Sequence, residues 1–309
     1  MPLWVTLAVS GIVVGLLYSM MAFGVVLIHR STGILNFAHT AIAAFFALLF
    51  RWLVVDRGFP KGLSFAVTLA LAFLFGVALY HLLFRRMRQA PLLNQVVGTL
   101  ALALVVQAVI GVVFSTNIRT VPALFSLQTT QVLGLSLSWH QLGVGLTAVV
   151  VAVALSLYFS RTRSGLSIKA LADNRQGAEL MGISVARTEG LVWGIAALLA
   201  ALAGILLGPL TLIDLRTVAS LMVKVFAAAL IGGLAGYEGA VAGALLLGVA
   251  EAEFAGYVTS PEVRESLPFF LVMLALLVRP LIATRWNGAR DRLRLAMAGR
   301  SEPGGMEAS

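Results

Sequence analysis

The sequence predicts an all-α, polytopic bundle of membrane-spanning helices. Three observations carry this expectation. Of 309 residues, 60% are hydrophobic and 11% are charged, against roughly 25% charged in a soluble domain. Apolar runs of about twenty residues recur along the chain, enough to cross a hydrocarbon layer roughly 30 Å thick. Small residues also repeat every four positions within those runs: Gly11, Gly15 and Ser19; Ala196, Ala200, Gly204 and Gly208; Ala240, Ala244, Gly248, Ala252 and Gly256. Such stripes let helix backbones approach closely in lipid, where packing rather than exclusion of water drives association.

The runs place spans near 3–28, 34–55, 63–84, 92–114, 141–160, 190–213, 218–232, 239–258 and 267–284, eight or nine in all, with a short or broken helix near 218–240. The first run lacks a basic leader and is about twice the length of a signal-peptide core, so it reads as a retained span. Residues 1–284 form one transmembrane domain, with a polar cytoplasmic segment at 161–189; residues 285–309 form a basic, flexible cytoplasmic tail. Three basic clusters follow spans three, five and nine: Arg85, Arg86 and Arg88; Arg161, Arg163, Lys169, Arg175 and Arg187; Arg285, Arg290, Arg292 and Arg294. Nine crossings put all three on one side, the cytoplasm by the positive-inside rule. The N-terminus is then outside and the C-terminus inside. Arg57 and Lys61 fall on the opposite side. The net charge of +9 is thus a topology signal rather than a nucleic-acid footprint.

Eight charged residues fall between Arg161 and Glu189. Ser164 or Ser167 is placed to cap a helix there. Lys169 and Asp173, and Arg175 and Glu179, are four apart and can pair along one face. Ile168, Leu171, Ala178 and Met181 leave an apolar stripe. Gly182 is placed to end the helix in the left-handed conformation, and Ser184 to cap the next. The pattern predicts a short amphipathic helix: either a headgroup-bound surface helix or a docking helix for a cytoplasmic partner.

The stretch "ALADNRQGAELMGISVAR" (Ala170–Arg187) resembles the cytoplasmic coupling segment of bacterial ABC-importer permeases of the branched-chain amino acid family. The family's alanine–acid–x4–alanine–x3–glycine–isoleucine pattern falls on Ala172, Asp173, Ala178, Gly182 and Ile183. "GILNFAH" (Gly33–His39), "MVKVF" (Met222–Phe226) and "LIGGLAGYEGAVAGALLLGVAEA" (Leu230–Ala252) are similar to three more of its motifs, in the same order and spacing. Thr40, Gly177 and the Gly236-Tyr237-Glu238 turn depart from the family pattern. The resemblance implies separate cytoplasmic ATPase subunits, a second permease chain (related or identical), and a periplasmic substrate-binding protein. It also implies that Ala170, Leu171, Ala172, Asp173, Ala178, Glu179, Gly182 and Ile183 couple the permease to its ATPase. The chain itself lacks the G-x4-G-K-[ST] phosphate loop, so ATP is expected on the partner subunits and no cofactor on this chain. The implied function is an inner-membrane importer permease for branched-chain or other hydrophobic amino acids, not an enzyme. Urea or a short amide is the alternative substrate, and an ion-gradient-driven secondary transporter the alternative mechanism.

A smaller set of residues lies where a path or a helix break is expected. Lys224 and Glu251 sit within spans seven and eight, and the short Gly-rich turn between those spans lets them pair; an unpaired charge in lipid is costly. Asn36 and His39 follow Gly33 and are expected to cap a broken helix or line the path. Gly232, Gly233, Gly236 and Gly239 mark a break between spans rather than a phosphate cradle. His29, His81 and His140 are scattered, and no spacing suggests a metal site.

Overall fold

The computed structural model describes residues 3–88, 90–114, 120–132, 135–211, 215–234, 236–260 and 262–278. It is an all-α bundle around two enclosed helices, α1 (Leu3–Thr32) and, later in the chain, α9 (Val185–Leu207). Their most apolar stretches are 78% and 83% buried, against 22% to 28% for four of the other candidate spans. α2 (His39–Arg51) widens into a π turn at Trp52–Asp56; α3 (Lys61–Leu79) does the same at Tyr80–Phe84 and ends in the single turn α4 (Arg85–Met87). α5 (Leu92–Phe114) follows, then a two-stranded antiparallel hairpin, β1 (Thr129–Val132) with β2 (Leu135–Ser138), then α6 (Trp139–Arg161). The polar segment forms α7 (Arg163–Asp173) and α8 (Arg175–Leu180) before α9. α10 (Leu215–Ile231) and α11 (Tyr237–Tyr257) form a helical hairpin, and a last helix, α12, covers 262–278.

Among the described residues, seven helices are long and apolar enough to cross a membrane: Leu3–Thr32, His39–Asp56, Lys61–Met87, Leu92–Phe114, Trp139–Arg161, Val185–Leu207 and Tyr237–Tyr257. The apolar part of α10, Thr217–Ile231, is the short element expected near 218–240. The ninth expected span overlaps α12, but its end at 279–284, like the basic tail at 285–309, lies outside the described residues.

Several boundaries differ from the sequence expectation. The first span runs on to Thr32 and the second starts only at His39. Gly33 explains both: its φ of +77° breaks α1, and its N–H closes the last turn on the His29 carbonyl at 2.8 Å. The sixth span starts at Val185, not 190, and its helix ends at Leu207. The hairpin at 129–138 was not anticipated.

The small-residue stripes find each other. A Cβ on Gly11 would lie 2.6 Å from Val249 Cα, and one on Gly248 would lie 2.5 Å from the Gly11 carbonyl. α1 and α11 therefore pack backbone to backbone. On α9, Gly204 faces the α2 backbone, where a Cβ would lie 2.5 Å from the Ala43 carbonyl.

Candidate functional site

The polar segment is built from two capped pieces. Thr162, not Ser164 or Ser167, caps α7: its side chain accepts from the Gly165 N–H. The extended backbone of Asn174 (φ −151°, ψ 100°) splits the expected single helix, and its side chain accepts from the Gly177 N–H to start α8. Gly182 (φ +79°) then closes α8. Its N–H donates to the Glu179 carbonyl and the Ile183 N–H to the Ala178 carbonyl, both at 3.0 Å, the paired bonds of a Schellman motif. Ser184 stands at the cap of α9 but makes no side-chain cap bond.

Burial sorts the segment into two faces. Ile168, Leu171 and Ala178 are buried within the chain, and Ala170, Ile183 and Val185 pack with Leu171 and Ala178. Met181, expected on the same apolar stripe, is instead 84% exposed, and its neighbour Leu180 is 89% exposed. The early end of α8 after Leu180 turns them outward. Two large apolar side chains therefore stand in the open on a polar segment.

Ion pairs tie this segment to the bundle. Asp173 does not meet Lys169; its Oδ1 takes Arg30 Nη2, at the end of α1, at 2.9 Å. Arg175 pairs with Glu179 at 3.7 Å, as the spacing suggested, and Glu179 also takes Arg88 at 3.2 Å. Arg175 Nη2 further lies 2.8 Å from Oε1 of Glu189, whose side chain is 1% exposed at the start of α9. The other oxygen of Glu189 accepts the hydroxyl of Tyr80. The carboxylate is thus held between the polar segment and the π turn of α3. Arg30 also faces the ring of Tyr237 at 5.6 Å, and Tyr237 stacks on Phe23 and Phe159. Sequence reasoning missed Arg30, Tyr80, Glu189 and Tyr237 as parts of this assembly. The one available signal was a lone carboxylate, Glu189, at the threshold of an apolar run.

The second group lies inside the bundle. Lys224 Nζ sits 3.0 Å from Glu251 Oε1, and Tyr18 donates to Glu251 Oε2 at 3.0 Å. The two side chains are 25% and 14% exposed, so this is a largely enclosed pair. Asn36 is buried, and its Oδ1 accepts from the Ala38 N–H at 3.1 Å, closing a turn rather than capping α2. Thr99 holds the neighbouring Leu35 carbonyl at 3.0 Å. His39 is buried against α1; a Cβ on Gly24 would lie 2.7 Å from its Cε1. Thr40 donates to the Val218 carbonyl at 3.4 Å, joining α2 to α10.

The glycine-rich turn is a second Schellman closure. Gly233 (φ +90°) donates to the Leu230 carbonyl and Leu234 to the Ala229 carbonyl. Gly232 and Gly239 face each other so closely that a Cβ on either would lie about 2.2 Å or less from the other's carbonyl oxygen. Gly236, extended, starts α11 and borders a cavity of about 690 Å³ between α1, α6, α9 and α11. Among the described residues no cluster of His, Cys, Asp or Glu could hold a metal ion.

No solved structure gives a significant match. The permease protein BraD of Pseudomonas aeruginosa, named for high-affinity branched-chain amino acid transport, is 28% identical over 285 residues, 88% of this chain and 92% of BraD. LivH of Escherichia coli K12, named for the same transport system, is 27% identical over 290 residues, with the same two coverages. A probable LivH of Methanocaldococcus jannaschii is 25% identical over 245 residues, 78% of each chain. The model of the family described as the branched-chain amino acid transport system permease component matches residues 7–277. With that match spanning nearly the whole bundle, the chain belongs to the branched-chain amino acid transport permease family.

Proposed function

We propose that this chain is the membrane-spanning half of an ATP-driven importer for branched-chain or other hydrophobic amino acids. Its partners are cytoplasmic ATPase subunits, a second permease chain and a binding protein that delivers substrate from outside. The observation that supports this most is the architecture of α7 and α8. They present Leu180 and Met181 to the surroundings while Asp173, Arg175 and Glu179 are ion-paired to Arg30 of α1, Glu189 of α9 and Arg88 just after α4. A solvated connection needs neither feature. A part that must receive a push from a partner and pass it to the spans needs both.

In this reading Leu180 and Met181 seat in a groove of the ATPase. Closure of the ATPases on ATP moves α7 and α8 as one body, and the Arg175–Glu189 and Arg30–Asp173 pairs carry the motion into α9 and α1. The bundle then shifts between two populated states. The end carrying Arg30, Arg88 and Arg161–Arg175 faces the cytoplasm, by its excess of basic residues; the N-terminus is outside and the C-terminus inside. Lys224 and Glu251, enclosed between α10 and α11, border the path. The segment 161–189 belongs to one transmembrane unit with residues 1–284.

The test is energetic. In vesicles holding the assembled complex, leucine uptake should require ATP and survive collapse of all ion gradients. Uptake driven by an imposed proton or sodium gradient without ATP would replace this reading with a secondary transporter.

A further inference from the structure

The cavity of about 690 Å³ is elongated, and its lining changes from apolar to cationic along its length. Its lining runs from Ser19 to Arg30 on α1 and from Ala148 to Ser160 on α6. Those stretches of twelve and thirteen residues correspond to roughly 16–18 Å of helix, about half of a hydrocarbon core roughly 30 Å thick. The crevice is thus one leaflet deep. That is the length an acyl chain needs to lie along one leaflet.

Its two ends differ in chemistry. The deep end is formed by apolar side chains such as Met20, Val151 and Leu199; the Ser19 hydroxyl there is already bonded to the Leu16 carbonyl at 2.7 Å. The shallow end carries Arg30 and Lys169. Lys169 has no ion-pair partner among the described residues, and the exposed Arg161 and Arg163 follow Ser160 at the same end. Two carboxylates oppose them: Asp173, paired with Arg30, and the exposed Glu238 on the rim. The balance at this end is cationic. The outer face of α6, at Val149, Val150 and Val153, is more than half exposed, so α6 is the outward wall of the crevice.

We infer that this crevice is a binding site for an anionic phospholipid, its headgroup phosphate at Lys169 and Arg30 and one acyl chain between α6 and α11. Basic side chains at helix ends hold anionic headgroups in this way. The lipid fills space between α6 and the α1–α11 core; on the proposed function, its headgroup lies at the end that the ATPase drives.

The test uses the assembled complex in nanodiscs of equal phosphatidylcholine and phosphatidylglycerol, stripped with mild detergent, with retained lipid counted by mass spectrometry. The wild type should retain phosphatidylglycerol in preference to phosphatidylcholine. Lys169→Gln should cut that preference about fivefold, the equivalent of about 1 kcal/mol for one basic side chain at a membrane surface. Ala152→Trp, which fills the crevice, should remove the retained lipid, while Val150→Trp on the outer face of α6 should not. Equal retention of the two lipids by the wild type would overturn the proposal, as would an unchanged preference in Lys169→Gln. Loss of the retained lipid on adding leucine, or its absence once the second permease is bound, would assign the crevice to substrate or to that partner instead.

Discussion

Arg175 reaches Glu189 at 2.8 Å across the turn that separates the polar segment from α9. The pair joins a side chain that is 31% exposed to one that is 1% exposed. A carboxylate so deeply placed at the start of an apolar helix is tolerable only with partners, and here they are Arg175 and the Tyr80 hydroxyl. The pair is therefore a structural tie between α8 and the start of α9.

Removing Arg175 should be worse than removing both partners. Arg175→Met strands the Glu189 carboxylate and should destabilise the complex by about 2 kcal/mol, below the 3–5 kcal/mol of a fully buried pair because Arg175 is part-exposed. Adding Glu189→Gln should recover much of the loss, since an amide still accepts from Tyr80. Thermal unfolding checks the stability. Transport per hydrolysed ATP checks the coupling and should stay low in both variants. Full coupling in Arg175→Met would remove this pair from the route.

Lys224 and Glu251 should behave as a coupled pair. Lys224→Met and Glu251→Gln should each lower assembly or uptake, and the double variant should be less impaired than their sum. Tyr18→Phe removes one hydrogen bond to the same carboxylate, and such bonds in membrane proteins average only about 0.6 kcal/mol; its effect should be small. Strictly additive defects in the uptake assay would mean that the two charges act separately.

Two glycines test two different constraints. Gly182 has open space around its missing Cβ but a φ of +79°. Gly182→Asn should be tolerated, because asparagine visits this region, whereas Gly182→Val should unwind the end of α8 and uncouple transport. Gly248 is helical but lies against the α1 backbone, with the Gly11 carbonyl 2.5 Å from a would-be Cβ. Even Gly248→Ala should force α1 and α11 apart and lower the melting temperature and yield of the complex. Equal tolerance of alanine and asparagine at both sites would contradict these assignments.

The split between what was readable and what was not follows the range of the interactions. Span positions, the Gly182 and Gly233 helix ends and the meeting of Lys224 with Glu251 rest on local pattern and one tight turn, so the residues themselves announce them. The partners of Glu189 and Asp173 do not: Tyr80 is 109 positions from Glu189, and Arg30 is 143 from Asp173. Only the packing of α7 on α1, and of α9 on α3 and its π turn, brings them together. Thr162 wins the α7 cap from Ser164 because α6 ends on Arg161 and leaves Thr162 extended. Ala178 illustrates the cost of reading a stripe without a fold. It looked like a contact for a partner, yet it is buried under Leu171 and Val185. Ala178→Arg would disrupt the segment itself, so it cannot distinguish docking from folding.

The exposed pair offers the cleaner test. The chain has no cysteine, so Met181→Cys creates a single addressable site on α8's open face. Charged with a photoactivatable thiol reagent in the assembled, lipid-reconstituted complex, it should give a covalent adduct with the ATPase subunit, with a yield that changes when ATP is added. Adducts with lipid alone, while the ATPase remains bound elsewhere, would contradict the claim that this segment is where the ATPase drives the permease.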